Sequence, residues 1–303
     1  MNPVARSRAL LAFVAMLCLP TGMTLAQQAG PPPQVYPEGI RGGSEVVPEK
    51  GVEIRKYIFK ETGEELPYSV FVSSKVKKGQ KAPLILALRG YTGTTLTFVR
   101  GTAVDLAEAG GYILVGPIGY NNRAWFGMDA PSRPAAAPAA APGSSSPDAA
   151  PRPQPPLVGG SKETDPQKLT EYSEKDVMNV LALVRKDFNI DQRRIYLVGH
   201  SQGGGGARHI AEKYPDIWAG VALLAPALFN VQVTTESKIT KIPLLLAVGE
   251  KDSLLGSVRD FSAQLDRLKV AHEYVEKPGL DHGTIIMGAE PDVFRFFAKH
   301  MRH

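Results

Sequence analysis

Short apolar runs separated by helical patterns constrain this chain more than any other feature. Pro83–Leu88, Tyr112–Gly116, Arg194–Gly199, Gly220–Leu224 and Pro243–Val248 read as strands buried on both faces, and His272–Val275 reads as one more. Between them Thr102–Ala109, Glu174–Phe188, the stretch through His209 to Tyr214, Ser257–Leu268 and Pro291–His300 read as helices, with Ser173 as the expected N-cap of the second. Val52–Phe59 and Pro67–Val72 precede them as a hairpin. Strands alternating with helices predict an α/β fold, in which a central, mostly parallel sheet is covered by helices on both faces.

Two stretches rich in proline stand outside this rhythm. Residues 27–50 read as an exposed Pro/Gly-rich leader, and residues 130–156 are a Pro/Ala/Ser tract. Such a tract buries too little apolar surface to order itself, so disorder is expected there. The strand patterns on its two sides complete one another. Residues 51–303 therefore read as one domain carrying a long inserted loop, the alternative being a linker between two domains.

The first 26 residues have the pattern of an export signal: Arg6 and Arg8, the apolar run Ala9–Leu19, and Thr24-Leu25-Ala26 before Gln27. The run is too short to span a bilayer, no other segment approaches that length, and a secreted or periplasmic protein without a membrane span is expected. The one cysteine, Cys18, lies inside the signal and lacks the residues of a lipoprotein site. The processed chain is thus expected to have neither a disulfide nor a thiol nucleophile. Removing Arg6 and Arg8 lowers the formal charge of +5 by two, and the remaining Lys and Arg are scattered among acids. That pattern argues against a nucleic-acid partner and leaves the oligomeric state open.

The chemistry concentrates in Ile195–Gly204, an apolar strand followed by Gly199-His200-Ser201-Gln202-Gly203 and a helix. A serine on so tight a strand-to-helix turn has strained backbone angles, and glycines two residues to either side remove the collisions that side chains would cause. Its hydroxyl then projects beside the positive end of the next helix. Gly203–Gly206 extend the glycine run into that helix, at about 1 kcal/mol each relative to alanine. Close packing or a close substrate would explain them, and a flexible loop is the plain alternative.

A serine hydroxyl needs a histidine base, and the histidine needs a carboxylate. Of the six histidines, His300 and His303 are terminal, His272 starts a strand, His209 lies in a helix, and His200 is expected to point away from its neighbour Ser201. His282, in the loop before the last helix, is the candidate base. Asp252, which follows the strand ending at Gly249, is the candidate acid, with Glu250 as its rival and Asp281 as a weaker one. The chain order Ser, Asp, His is then satisfied. The backbone amides of Gln202 and Tyr91 are the candidate donors to an oxyanion, and Trp125 and Phe126 are placed either along a substrate pocket or over the core. No metal-ligand spacing or cofactor fingerprint is present, so neither is expected.

With these segments in place, residues 51–303 resemble the α/β-hydrolase esterases grouped with polyhydroxybutyrate depolymerases and feruloyl or acetylxylan esterases. The resemblance is carried by Leu88–Gly93, Gly116–Asn121, and Asp176–Met178 through Ile190-Asp191 to Gly199–Gly204. It implies a cofactor-free, often exported enzyme that cleaves carboxylic esters through an acyl-enzyme. Where such esterases usually read His-Gly after the first strand, this chain has Arg89-Gly90, which bears on the packing of that loop rather than on its backbone donor. A serine peptidase of the same fold and a catalytically inactive binding protein are the alternatives.

Overall fold

The computed structural model describes residues 48–130 and 155–302. The expected signal with Cys18, the leader through residue 47, residues 131–154 of the insertion, and His303 lie outside them.

Strands β1 (Val52–Phe59) and β2 (Glu64–Val72) form the expected hairpin. The chain continues through β3 (Ala82–Leu88), α1 (Gly101–Gly110), β4 (Ile113–Pro117), α2 (Pro166–Asp187), β5 (Ile190–His200) and α3 (Gln202–Lys213). It ends with β6 (Gly220–Leu224), β7 (Leu244–Gly249), α4 (Leu255–Arg267), β8 (His272–Lys277) and α5 (Ile285–Lys299). The eight strands form one sheet in the order β1-β2-β4-β3-β5-β6-β7-β8. β2 is antiparallel to β1 and β4, and every pair from β4 to β8 is parallel. β3, β4, β6 and β7 are buried at every residue, the reason their sequences are unbroken apolar runs rather than alternating ones.

The order also places the functional edge. From β3 the chain crosses to β4 on one side, then returns to lay β5 on the other. The connections leaving β3 and β5 therefore depart in opposite directions and open a crevice between their carboxyl ends, where ligands of such sheets bind. The loop Arg89–Gly93 follows β3 and Ser201 follows β5.

Two helices differ from the expected ones. α2 begins at Pro166, not Glu174, and its N-cap is Asp165, whose carboxylate accepts from the amides of Gln167 (2.9 Å) and Lys168 (3.1 Å). Ser173 lies inside the helix, donating to the Thr170 carbonyl (2.8 Å) and accepting from the Gly127 amide (3.1 Å). The added turns are mostly polar, and only Leu169 and Tyr172 pack there, against the small cluster of Phe59, Leu66, Ile118 and Tyr120. α5 begins at Ile285, and Pro291, taken above as its start, lies within it.

The glycine run of α3 is a packing device. A Cβ on Gly203 would sit 2.3 Å from the carbonyl oxygens of Leu88 and Arg89, on Gly204 2.8 Å from Pro226 Cα, and on Gly206 2.5 Å from Phe126 Cβ. The helix thus lies directly on the main chain of its neighbours. Gly203→Ala should lose stability despite its helix propensity gain of about 1 kcal/mol, because two backbone atoms cannot move aside; a net loss of roughly 1–3 kcal/mol in urea unfolding is expected.

Glu290 of α5 is buried and its Oε2 has no partner among the described residues. Burial pushes its carboxyl up to about 8, with Arg100 opposing and Glu49 adding. The native state then keeps a proton that the unfolded chain releases near 4.5, so stability falls as pH rises from about 4.5 through about 8. Thermal melts across this window should show Glu290→Gln losing less than the wild type, with the difference largest at the alkaline end.

Candidate active site

Ser201 is held in a backbone conformation that side chains rarely adopt, φ 56° and ψ −118°. Its neighbours impose that conformation. Its amide donates to Leu224 O (2.9 Å), and its carbonyl accepts from the amides of Gly205 (3.0 Å) and Ala227 (2.8 Å). A Cβ on Gly199 would lie 2.0 Å from Gly203 O, so only glycine fits on the strand side of the turn.

The structure brings Ser201, His282 and Asp252 into one hydrogen-bonded line. Asp252 Oδ2 lies 2.8 Å from His282 Nδ1, and His282 Nε2 lies 2.8 Å from Ser201 Oγ. An ionised carboxylate only accepts, so Nδ1 carries the ring proton and Nε2 accepts from the serine hydroxyl. Burial pushes the Asp252 carboxyl up, but the hydrogen bonds from His282 and from the Leu254 amide (2.8 Å) outweigh it and hold the group below its ordinary range. Asp252 is therefore an anion at neutral pH.

The rival acids shape the loop instead. Glu250 Oε2 accepts from the Gly279 amide (2.8 Å), and Asp281 Oδ1 accepts from the amides of Gly283 (3.0 Å) and Thr284 (2.9 Å). The other described histidines bond elsewhere: His209 to Glu174, His272 to Ser262 and Val270, His300 to Phe296. His200 is buried against the His282 loop. Sequence reasoning set it aside because it cannot serve as the base, and so missed its place in the site.

Gln202 N opens α3, and Gly90 lies against Ser201, where a Cβ would sit 3.5 Å from the serine Cβ. This brings the Gly90–Tyr91 peptide beside the hydroxyl. Neither the Tyr91 nor the Gln202 amide donates to an acceptor among the described residues, and both stay available to an oxygen developing charge at the helix N-terminus.

Arg89, the departure noted above, fixes this loop. It is wholly buried and uses all of its guanidinium donors. Nε donates to Ile118 O (2.9 Å), Nη1 to Gly90 O (3.1 Å) and Gln202 Oε1 (2.6 Å), and Nη2 to Ala124 O (3.1 Å) and Asn121 O. Its guanidinium carbon lies 4.7 Å from the centre of the Phe126 ring. Phe126 is therefore core rather than pocket: it is fully buried, with φ 52°, beneath Arg89 and against Gly119 and Gly206. Trp125, one residue earlier, faces the other way. Its ring lies 6.5 Å from that of Tyr91 and 6.1 Å from that of Phe229. Tyr91 and Phe229 are 49% and 54% exposed, so the three rings form an aromatic row open to solvent. A cleft of about 620 Å³ adjoins this row, lined among others by Tyr91, Trp125, Arg123, Leu157 and Leu169. Among the described residues no cluster of His, Cys, Asp or Glu is arranged to hold a metal ion.

Residues 144–281 match a protein family described as the alpha/beta hydrolase fold, a span that includes Ser201 and Asp252 and stops one residue before His282. No curated protein matches the sequence. Among solved structures, an S-formylglutathione hydrolase from Agrobacterium tumefaciens is 16% identical with a TM-score of 0.59, covering 82% of this chain and 95% of its own. A ferulic acid esterase from Anaeromyces mucronatus, in complex with ferulic acid, is 18% identical with a TM-score of 0.57, covering 88% and 96%. A fluorophosphonate-binding serine hydrolase from Staphylococcus aureus is 15% identical with a TM-score of 0.56, covering 82% and 97%. At such identities the likeness is one of architecture, and with the sheet order and the strand-to-helix turn at Ser201 it establishes that this chain has the α/β-hydrolase fold.

Proposed function

We propose that the protein is an exported carboxylic ester hydrolase acting through an acyl-enzyme. The observation that carries this reading is the continuous line Asp252–His282–Ser201, with two 2.8 Å hydrogen bonds and the correct tautomer enforced at one end. Ser201 Oγ attacks the ester carbonyl while His282 Nε2 takes its proton. The tetrahedral oxyanion is held by the Tyr91 and Gln202 amides, and Asp252 stabilises the imidazolium so formed. His282 then passes the proton to the departing alcohol. Water, activated by the same imidazole, hydrolyses the acyl-Ser201 ester and restores the enzyme.

The aromatic row of Tyr91, Trp125 and Phe229 supports a substrate with a planar apolar group next to its ester, as in feruloyl esters, over the small acetyl or short hydroxyalkanoate esters. The likeness to an esterase in complex with ferulic acid favours the same class.

A fluorophosphonate should add its mass to a peptide containing Ser201 and leave Ser201→Ala unlabelled, with kcat on nitrophenyl esters falling about 10⁶-fold in that variant. Labelling of both proteins alike would refute the assignment. Asp252→Asn should keep the fold but lower kcat by about 10⁴-fold, because an amide donating to Nδ1 moves the ring proton to Nε2 and leaves Ser201 without a base. Steady-state kinetics alongside a thermal melt would check this.

A further inference from the structure

His200, the last residue of β5, is buried beneath the loop that carries His282. Its Nε2 lies 2.7 Å from the His282 carbonyl oxygen. A carbonyl only accepts, so His200 carries its proton on Nε2 and donates it there. The two imidazole rings are 4.7 Å apart and tilted by 46°. On the far side, Nδ1 lies against Gly90, where a Cβ would sit 3.0 Å away. The ring is thus wedged between the main chain of His282 and the loop that carries the Tyr91 amide.

Other contacts hold the His282 loop, but not at His282. Lys251 N donates to Leu280 O (2.9 Å), Glu250 receives the Gly279 amide, and Asp281 caps Gly283 and Thr284. Among the described residues, His200 alone offers a side chain to the main chain of His282 itself. Burial, with the neighbouring His282 adding to it, holds His200 down to about 3, against the opposing pull of its bond to the His282 carbonyl and of Asp252. It is uncharged at neutral pH and does not repel an imidazolium forming 4.7 Å away.

We propose that His200 is a positioning residue, whose Nε2–H anchors the His282 carbonyl and so keeps the His282 ring in line with both Ser201 and Asp252. The inference rests on the ester-hydrolase reading above. The His282 side chain is 41% exposed and sits on a loop, yet it must hold two hydrogen bonds of 2.8 Å at once. A displacement on the order of 1 Å at such a group costs about 10²-fold in rate.

The test compares His200→Phe, His200→Gln and His200→Asn with the wild type in nitrophenyl-ester kinetics, fluorophosphonate labelling rate and thermal melts. Phe keeps a ring and lacks the donor; kcat and the labelling rate should fall about 10²-fold with KM little changed. Gln extends an amide donor as far as Nε2 and should recover most of the loss, whereas Asn, one methylene shorter, should not. Wild-type turnover in His200→Phe, or Gln no better than Asn, would overturn the proposal. Should the Phe variant not melt cooperatively, the order of Gln and Asn decides alone. A failure of the underlying reading is separately visible, since the wild type would then either not be labelled at Ser201 or be labelled and turn over no nitrophenyl ester; a labelled, ester-cleaving wild type with an equally fast Phe variant discards His200 alone.

Discussion

The buried guanidinium of Arg89 is the contact on which the candidate site depends. Removing a cation from water costs several kcal/mol unless its donors are satisfied, and here each N–H finds an oxygen: four main-chain carbonyls and the side chain of Gln202. Those oxygens come from three segments, namely the loop after β3, the loop after β4, and the first turn of α3, which are also joined by the bonds from Thr92 N to Asn122 O (2.8 Å) and from Gln202 Nε2 to Arg123 O (3.2 Å). Burial lowers the Arg89 pKa to about 9, with Asp176 and Tyr91 opposing, so the cation persists at neutral pH. Asp176, equally buried, is pushed up to about 6 by burial, while Tyr57 OH (2.7 Å) and the Gly119 amide (2.6 Å) favour its anion. A lysine has one compact charge and three donors and cannot span these partners; the planar fork of arginine can.

This clamp explains why the glycines of α3 are not a flexible loop. Arg89 draws the first turn of the helix onto the end of β3 until Gly203 lies on the carbonyls of Leu88 and Arg89. Any side chain at that point would hold the two elements apart, and with them the Gly90–Tyr91 peptide and the amide of Gln202. The unfavourable φ of Ser201 belongs to the same arrangement: hydrogen bonds to Leu224, Gly205 and Ala227 hold the residue from three directions, so the strained angle persists.

How much of this was legible in the sequence follows from how local each interaction is. Strands buried on both faces announce themselves as apolar runs, and the order Ser201, Asp252, His282 is a property of the chain. The strands therefore read correctly, and the residues picked from that order lie within hydrogen-bond distance of one another, with Asp252 rather than Glu250 beside His282. The first turns of α2 could not be read, because they rest on an Asp165 cap and on two side chains, Leu169 and Tyr172, packed against a small apolar cluster rather than on a periodic apolar face. Phe126 and Trp125 are adjacent and equally aromatic, and only the positive φ of Phe126 sends one ring into the core and leaves the other at the surface. His200 was passed over for a sound local reason, since it cannot reach Ser201 as a base. Its partner lies 82 positions away. Arg89 carried a signal, the replacement of an expected histidine, but the signal marked a difference in packing without naming its five partners.

On the proposed reading, chemistry and selectivity are held by different parts of the same edge. Ser201, Asp252 and His282 follow β5, β7 and β8 and are fixed through main-chain bonds and buried groups. The exposed rings of Tyr91 and Phe229, with the half-buried ring of Trp125 between them, follow β3, β6 and β4. Tyr91 belongs to both sets. Its amide is placed by Gly90 and by the Arg89 clamp, whereas its ring stands in solvent beside Trp125. The amide is thereby placed independently of the ring. On that reading, changes to the rings of the row would alter which ester is accepted without moving the Tyr91 and Gln202 amides, whereas Arg89, bonded to the Gly90 and Ala124 carbonyls, bears on the main chain beneath both Tyr91 and Trp125.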